Sequence, residues 1–153
     1  MEREIRTRLE NLTKDQLALL AEGTSEERVA MAWLATIKYA ALIREFADDV
    51  LRSKLADFDS VLRPSDYDNF IADRLPSHPE LGELTESSSR KIRRVLLLML
   101  TEAGMIREED GERRITRPIQ TQRVIDIIMA DDAQFLAGFL WSDEEIAIIK
   151  KTK

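Results

Sequence analysis

The sequence predicts a mainly α-helical protein, a helical bundle carrying one short β-hairpin. Three observations predict it. The 153 residues include only five glycines and four prolines, few enough to favour helices over sheets. Apolar residues recur at three- and four-residue steps along most of the chain, the repeat of one helix face. A lone Asp110-Gly111 pair between two short β-forming runs is a strong signal for a two-residue hairpin turn.

The elements follow in order. Ile5 and Leu9 suggest a short helix over Met1–Asn11. Thr13-Lys14-Asp15-Gln16 fits a capping box, in which Thr and Gln side chains each satisfy a free backbone N–H. That helix runs to Glu22 and stops at Gly23. Thr24-Ser25-Glu26-Glu27 starts the next, with acids at its positive end. Val29, Trp33, Ile37, Ala40, Ala41, Phe46, Val50, Leu51 and Leu55 continue the period with no Gly or Pro, so one long helix is expected to about Ala56. Trp33, Tyr39 and Phe46 on it are read as core. Pro64 opens a helix bearing Tyr67, Phe70, Ile71 and Leu75, ended by Pro76; Ser77-His78-Pro79 starts a short turn to Glu83.

Thr85 caps a helix to Ala103, and Gly104 suits the left-handed residue that closes helices. Strands are expected over Met105–Glu109 and Glu112–Arg117, then helices over Pro118–Asp131 and Ala133–Leu140 and a last turn capped by Ser142. These group into an N-terminal helical region (1–75), a core with its hairpin (76–118) and C-terminal helices (119–153), packed as one compact unit.

The helix-then-hairpin order of Thr85–Pro118 is the C-terminal half of a winged helix-turn-helix, the hairpin being the wing. Charge agrees. The chain carries −6 overall, yet residues 85–123 hold nine basic and six acidic side chains, a net of +3. Ser87, Ser88, Ser89, Arg90, Lys91, Arg93 and Arg94 make the front of the helix polar, whereas Val95–Leu100 is wholly apolar and is expected to be buried nearly all round. A recognition helix has this design. Serines let phosphates approach the helix-start N–H groups, and arginines reach guanine edges or phosphates. The other reading is a solvated basic face on a core helix.

A two-residue turn pairs Ile106 with Ile115, Glu108 with Arg113, and Arg107 with Arg114. Opposed arginines repel, so either an anion relieves them or Glu109 and Glu112 neutralise them. The wing tip is acidic, which directs any phosphate to the shaft. The expected DNA contacts are Ser87, Ser88, Arg90, Lys91 and Arg94, supported by Arg107, Arg114 and Arg117.

Catalysis has little support. His78, the sole histidine, sits where it caps or lines a turn. Asp48-Asp49 and Asp66/Asp68/Asp73 lack loop-type ligand spacing and read as solvated faces and caps. No phosphate-cradling glycine loop or nucleophile motif is present. Without cysteine there are neither disulfides nor thiolate metal sites. No apolar stretch approaches the roughly 20 residues that span a bilayer. The expectation is a non-enzymatic cytoplasmic protein with no metal and no cofactor.

Three runs, REIRTRLENLTKDQLALL, KYAALIREFADDVLRSKL and DYDNFIADRLPSHPELGELTESSSRKIRRVLLLMLTEAGMI, resemble the BrxA family of bacteriophage-exclusion (BREX) defence systems. The similarity covers Arg3–Leu140 and is most specific from His78 to Ile106. The resemblance implies a small, mainly helical, non-enzymatic protein that binds double-stranded DNA beside other phage-defence components, among them a methyltransferase and an ATPase. It also implies a likeness to RNA-binding antitermination factors; an interaction scaffold is the other reading. Relatives usually carry a helical segment before the stretch matching Arg3–Leu12, which implies a shortened member or a misplaced start. The absence of that segment would take away DNA-binding surface or expose apolar surface for another copy to cover, making a homo-oligomer.

Overall fold

The computed structural model describes residues 2–152. Helix α1 spans Glu2–Leu9 and α2 spans Lys14–Glu22; the expected start at Met1 lies outside the described residues. The Thr13 capping box forms: Thr13 Oγ1 accepts from the Gln16 N–H at 3.2 Å, and Gln16 Oε1 accepts from the Thr13 N–H at 3.0 Å. Thr24 and Glu27 repeat this pair at the start of α3 (Ser25–Tyr39).

The long helix is not continuous. It breaks at Ala40, where φ −108° and ψ 96° are extended backbone. Any L-residue adopts that conformation, so neither Gly nor Pro is needed. Beyond the break, α4 (Ala41–Glu45), a π-helical stretch (Phe46–Leu51) and α5 (Arg52–Ala56) run on as one rod. The rod brings Phe46 edge-on to Phe70, with ring centroids 5.1 Å apart. Trp33 and Phe46 are core residues as expected; Tyr39, next to the break, is exposed. The Arg8 guanidinium covers one face of its ring, 5.7 Å from the centroid.

A short strand, β1 (Val61–Leu62), precedes α6 (Pro64–Arg74). A 3₁₀ turn over Pro79–Glu83 leads to α7 (Glu86–Glu102), then β2 (Ile106–Glu109) and β3 (Glu112–Ile115). The antiparallel sheet has the order β1-β3-β2. Its hairpin register is the expected one, with Ile106↔Ile115, Arg107↔Arg114 and Glu108↔Arg113. Asp110 and Gly111 both have positive φ, 52° and 77°, as a turn that follows strand twist requires. β1 adds Val61↔Arg114 and Leu62↔Arg113. At the end of α7, Gly104 adopts φ 80° and the Met105 N–H donates back to Leu100 O at 2.9 Å.

Helix α8 spans Gln122–Asp131, starting later than Pro118 because Thr121 is the cap; its Oγ1 accepts from the Val124 N–H at 3.3 Å. A 3₁₀ segment (Ala133–Phe139) and α9 (Asp143–Thr152, capped by Ser142) follow. The buried side chains form one cluster, which includes Met31, Leu34 and Ile37 of α3 together with Leu100, Val124, Ile128, Leu136 and Phe139. The Trp33 indole N–H donates to Gly138 O at 2.8 Å inside it. Glu27 ties α3 to α8: it accepts from Arg123 at 2.8 and 3.2 Å and from the Thr121 hydroxyl at 2.8 Å.

Candidate nucleic-acid interface

Helix α7 and the β2–β3 hairpin are the two walls of an open groove of about 460 Å³. Arg90, Arg93, Arg94, Leu97, Leu98 and Thr101 line the helix wall. Their spacing of three, four, seven, eight and eleven residues from Arg90 places them on one helical stripe. Ile106, Arg107, Glu108 and Arg113 line the hairpin wall. Five arginines thus face a space holding a single carboxylate. Among the described residues, Arg90, Arg93, Arg94 and Arg113 have no ion-pair partner, so their charge is uncompensated.

The expected contact residues divide. Arg90, Arg94 and Arg107 line the groove. Lys91 instead borders an apolar hollow on the opposite side of α7, with Leu42, Ile43, Tyr67, Phe70, Ile92, Val95 and Leu96. Ser88 belongs to the helix cap: Thr85 Oγ1 accepts from its N–H at 3.1 Å and the two hydroxyls lie 2.9 Å apart. Ser87 is exposed beside it, and Glu86 brings a negative charge to the same helix end.

The opposed Arg107 and Arg114 are each neutralised along their own strand, by Glu109 at 2.9 Å and by Glu112 at 3.1 Å. Arg114 also reaches Ser60 Oγ at 3.4 Å, toward β1. Arg117 is drawn away to α9, where it donates to Glu145 Oε1 at 2.6 Å and lies over the Trp141 ring. That bond, with the Ser142 N–H, holds the Glu145 carboxyl down to about 2.

Two groove residues were missed by sequence reasoning, Arg93 and Arg113. The signal existed. Arg93 is three residues from Arg90, and the hairpin register sets Arg113 on the face of Ile106 and Ile115, which looks inward toward α7. The back half of α7 also differs from expectation. Leu96 and Leu100 are buried, but Val95 is 41% and Leu98 56% exposed, because the helix packs along one side only.

Other candidate sites dissolve into structural pairs. His78 lies between Glu45 and Glu80 at 3.4 and 3.3 Å. Asp48 pairs with Arg52, Asp49 with Arg74, and Asp66 caps the Arg63 N–H at 2.7 Å. Among the described residues no cluster of three or more His or acidic side chains could hold a metal, and no helix is long and apolar enough to cross a membrane.

Fold and site together define a mainly helical protein that presents an arginine-lined groove between one helix and a β-hairpin. The chain belongs to the BrxA family, whose model matches residues 1–132. It is 28% identical over 102 residues to the BREX protein BrxA of Escherichia coli O9:H4 (strain HS), covering 67% of this chain and 48% of that protein. It is 23% identical over 111 residues to the BREX protein BrxA of Bacillus cereus (strain H3081.97), covering 72% and 56%. The chain therefore spans about half the length of the curated relatives it matches. An uncharacterized protein from Magnetospirillum magneticum, solved as a crystal structure, shares the fold with a TM-score of 0.78 at 19% identity, over 88% of this chain and 70% of that one.

Proposed function

We propose that the groove between α7 and the hairpin binds duplex DNA, and that the chain is a non-enzymatic DNA-binding component of a BREX-type phage-defence system, acting with other defence components. The observation that carries the DNA reading is the pairing of two arginine walls with four uncompensated cations. Placing such charges together costs self-repulsion that a phosphate backbone removes, with counterions released from the DNA. The order β1–α6–α7–β2–β3 with sheet order β1-β3-β2 supports a winged helix-turn-helix, α7 being the reading helix. The names of the two relatives support the defence setting. The chemistry required is electrostatic and needs no cofactor.

Within the groove, Arg90, Arg93 and Arg94 hold one side of a phosphate track and Arg113 the other. The acidic wing tip at Asp110 stays outside. The test is titration of a short labelled duplex with wild type and with Arg90→Glu/Arg94→Glu. Loss of binding in the variant is expected; equal affinities would remove the groove from the account. Single-stranded RNA in the same titration separates the antitermination-like alternative, which predicts a preference for RNA.

A further inference from the structure

Phe58 combines an exposed aromatic ring with left-handed backbone: it is 98% exposed and sits at φ 58°. The backbone has a local cause. The Phe58 N–H donates to Leu55 O at 3.1 Å and the Asp59 N–H to Lys54 O at 2.8 Å, the pair of bonds that closes a helix through a left-handed residue. The end of α7 repeats the pair, with the Gly104 N–H donating to Thr101 O at 3.1 Å and the Met105 N–H to Leu100 O at 2.9 Å. There the left-handed residue is glycine, which has no Cβ to strain. At the end of α5 the same position holds phenylalanine. Among the described residues the other non-glycine positions with positive φ are Asp110, a turn former, and Leu140, which is buried in the core. Neither reason serves Phe58, whose ring touches water and whose backbone is strained. Strain of this kind is kept where the displayed side chain has a use.

The turn holds the ring in one place. Asp59 accepts from Lys54 at 2.9 Å, from Arg63 at 3.0 Å and from the Val61 N–H at 3.2 Å, and Lys54 also reaches Asp66 at 3.0 Å. A ring presented on so fixed a support loses little freedom when it is covered. Ile119, 95% exposed, joins it. Phe58 precedes β1 and Ile119 follows β3; the two strands are antiparallel, so both side chains leave the same end of the sheet. The acidic wing tip and its turn lie at the other end.

Charge indicates what covers this pole. The first turn of α9 stands beside it, with Asp143 on Arg52 of α5 at 2.9 Å and Glu145 on Arg117 at 2.6 Å. Asp57, next to Phe58, and Glu144 are exposed and have no ion-pair partner among the described residues. We propose that Phe58, with Ile119, anchors a docking surface for another protein of the defence system, one that offers an apolar pocket with lysines or arginines at its rim. The ring fills the pocket, and Asp57 and Glu144 meet the rim. Nucleic acid does not fit, because both free carboxylates repel phosphate. The choice of partner rests on the defence setting proposed above, whereas DNA binding plays no part in it.

The other proteins of the same BREX system, purified one at a time, are the probes. Each is titrated against the fluorescently labelled full chain, as wild type, Phe58→Gly and Asp57→Lys. One of them is expected to bind wild type. Phe58→Gly should weaken that binding roughly thirtyfold or more while raising the melting temperature, a combination that a purely structural role for the ring does not give. Asp57→Lys should weaken it roughly tenfold, through slower association at low salt. Failure of every component to bind wild type overturns the proposal, as does one that binds Phe58→Gly as tightly. Sedimentation of the chain alone covers a second copy as occupant: self-association that Phe58→Gly abolishes would also overturn it. Duplex titration keeps the two readings apart. DNA affinity should be the same in wild type and Phe58→Gly, and a loss in the variant would place the ring on nucleic acid and overturn the docking role.

Discussion

Arg93 of α7 and Arg113 of β3 line the same two hollows, the open groove and a smaller one of about 80 Å³ bordered by Phe46, Leu62 and Tyr67. They join the helix wall to the hairpin wall at the point where the sheet meets the core. Neither has a carboxylate partner among the described residues. Arg93→Ala and Arg113→Ala are therefore expected to weaken duplex binding by about tenfold each. Arg117→Ala, whose guanidinium is held by Glu145, should change it little. Fluorescence anisotropy on the three variants checks the ranking.

If the groove binds duplex DNA as proposed, the glutamates of the β2–β3 hairpin act against that binding. Glu109 and Glu112 neutralise Arg107 and Arg114, which repel each other across the ladder. Glu109→Gln/Glu112→Gln should free both cations, tighten duplex binding and steepen its dependence on salt by about two phosphate equivalents. The same variant should be slightly less stable, since like charges then face each other unscreened. Salt titrations with thermal melts measure both effects.

Acid lability is expected at the α3–α8 tie. The Thr24 N–H, Arg123 and the Thr121 hydroxyl hold the Glu27 carboxyl down to about 2, against an ordinary value of 4.5. A carboxyl whose folded value is depressed gives stability that is fully present above 4.5 and is lost as pH falls from there through about 2. Melting temperature should fall across that window in wild type. Glu27→Gln should melt lower at neutral pH and show a shallower fall.

Two backbone positions give opposite expectations. Phe58 is 98% exposed and adopts φ 58°, the left-handed conformation that glycine takes at helix ends. Phe58→Gly should stabilise the fold by about 1 kcal/mol by relieving that strain. At Gly138, an added Cβ would sit 2.6 Å from Ile37 Cδ1 in the core. Gly138→Ala should destabilise by about 1–3 kcal/mol through overpacking. Denaturant unfolding of the two variants checks both signs.

Local chemistry was legible in the sequence, and long-range pairing was not. The threonine caps, the hairpin turn and its register follow from residues within a few positions of one another, and the structure contains them. The break at Ala40 leaves no mark because its backbone suits any residue. β1 exists only through pairing with β3, some fifty residues on, and a two-residue strand has no period of its own. Pro118 suits a helix start, yet the Thr121 cap won, which leaves Ile119 in the exposed connection. In the groove, the arginines of α7 were visible as a cluster, but which of them face the hairpin depends on helix rotation. Packing of Leu96 and Leu100 sets that rotation, turning Arg93 in and Lys91 away.

The salt dependence of duplex affinity tests the central claim most directly. Four uncompensated arginines predict a slope of log affinity against log salt of about −3.6 for wild type, falling toward about −1.8 in Arg90→Ala/Arg94→Ala. A wild-type slope near zero, or one that the double variant leaves unchanged, would contradict a nucleic-acid interface in this groove.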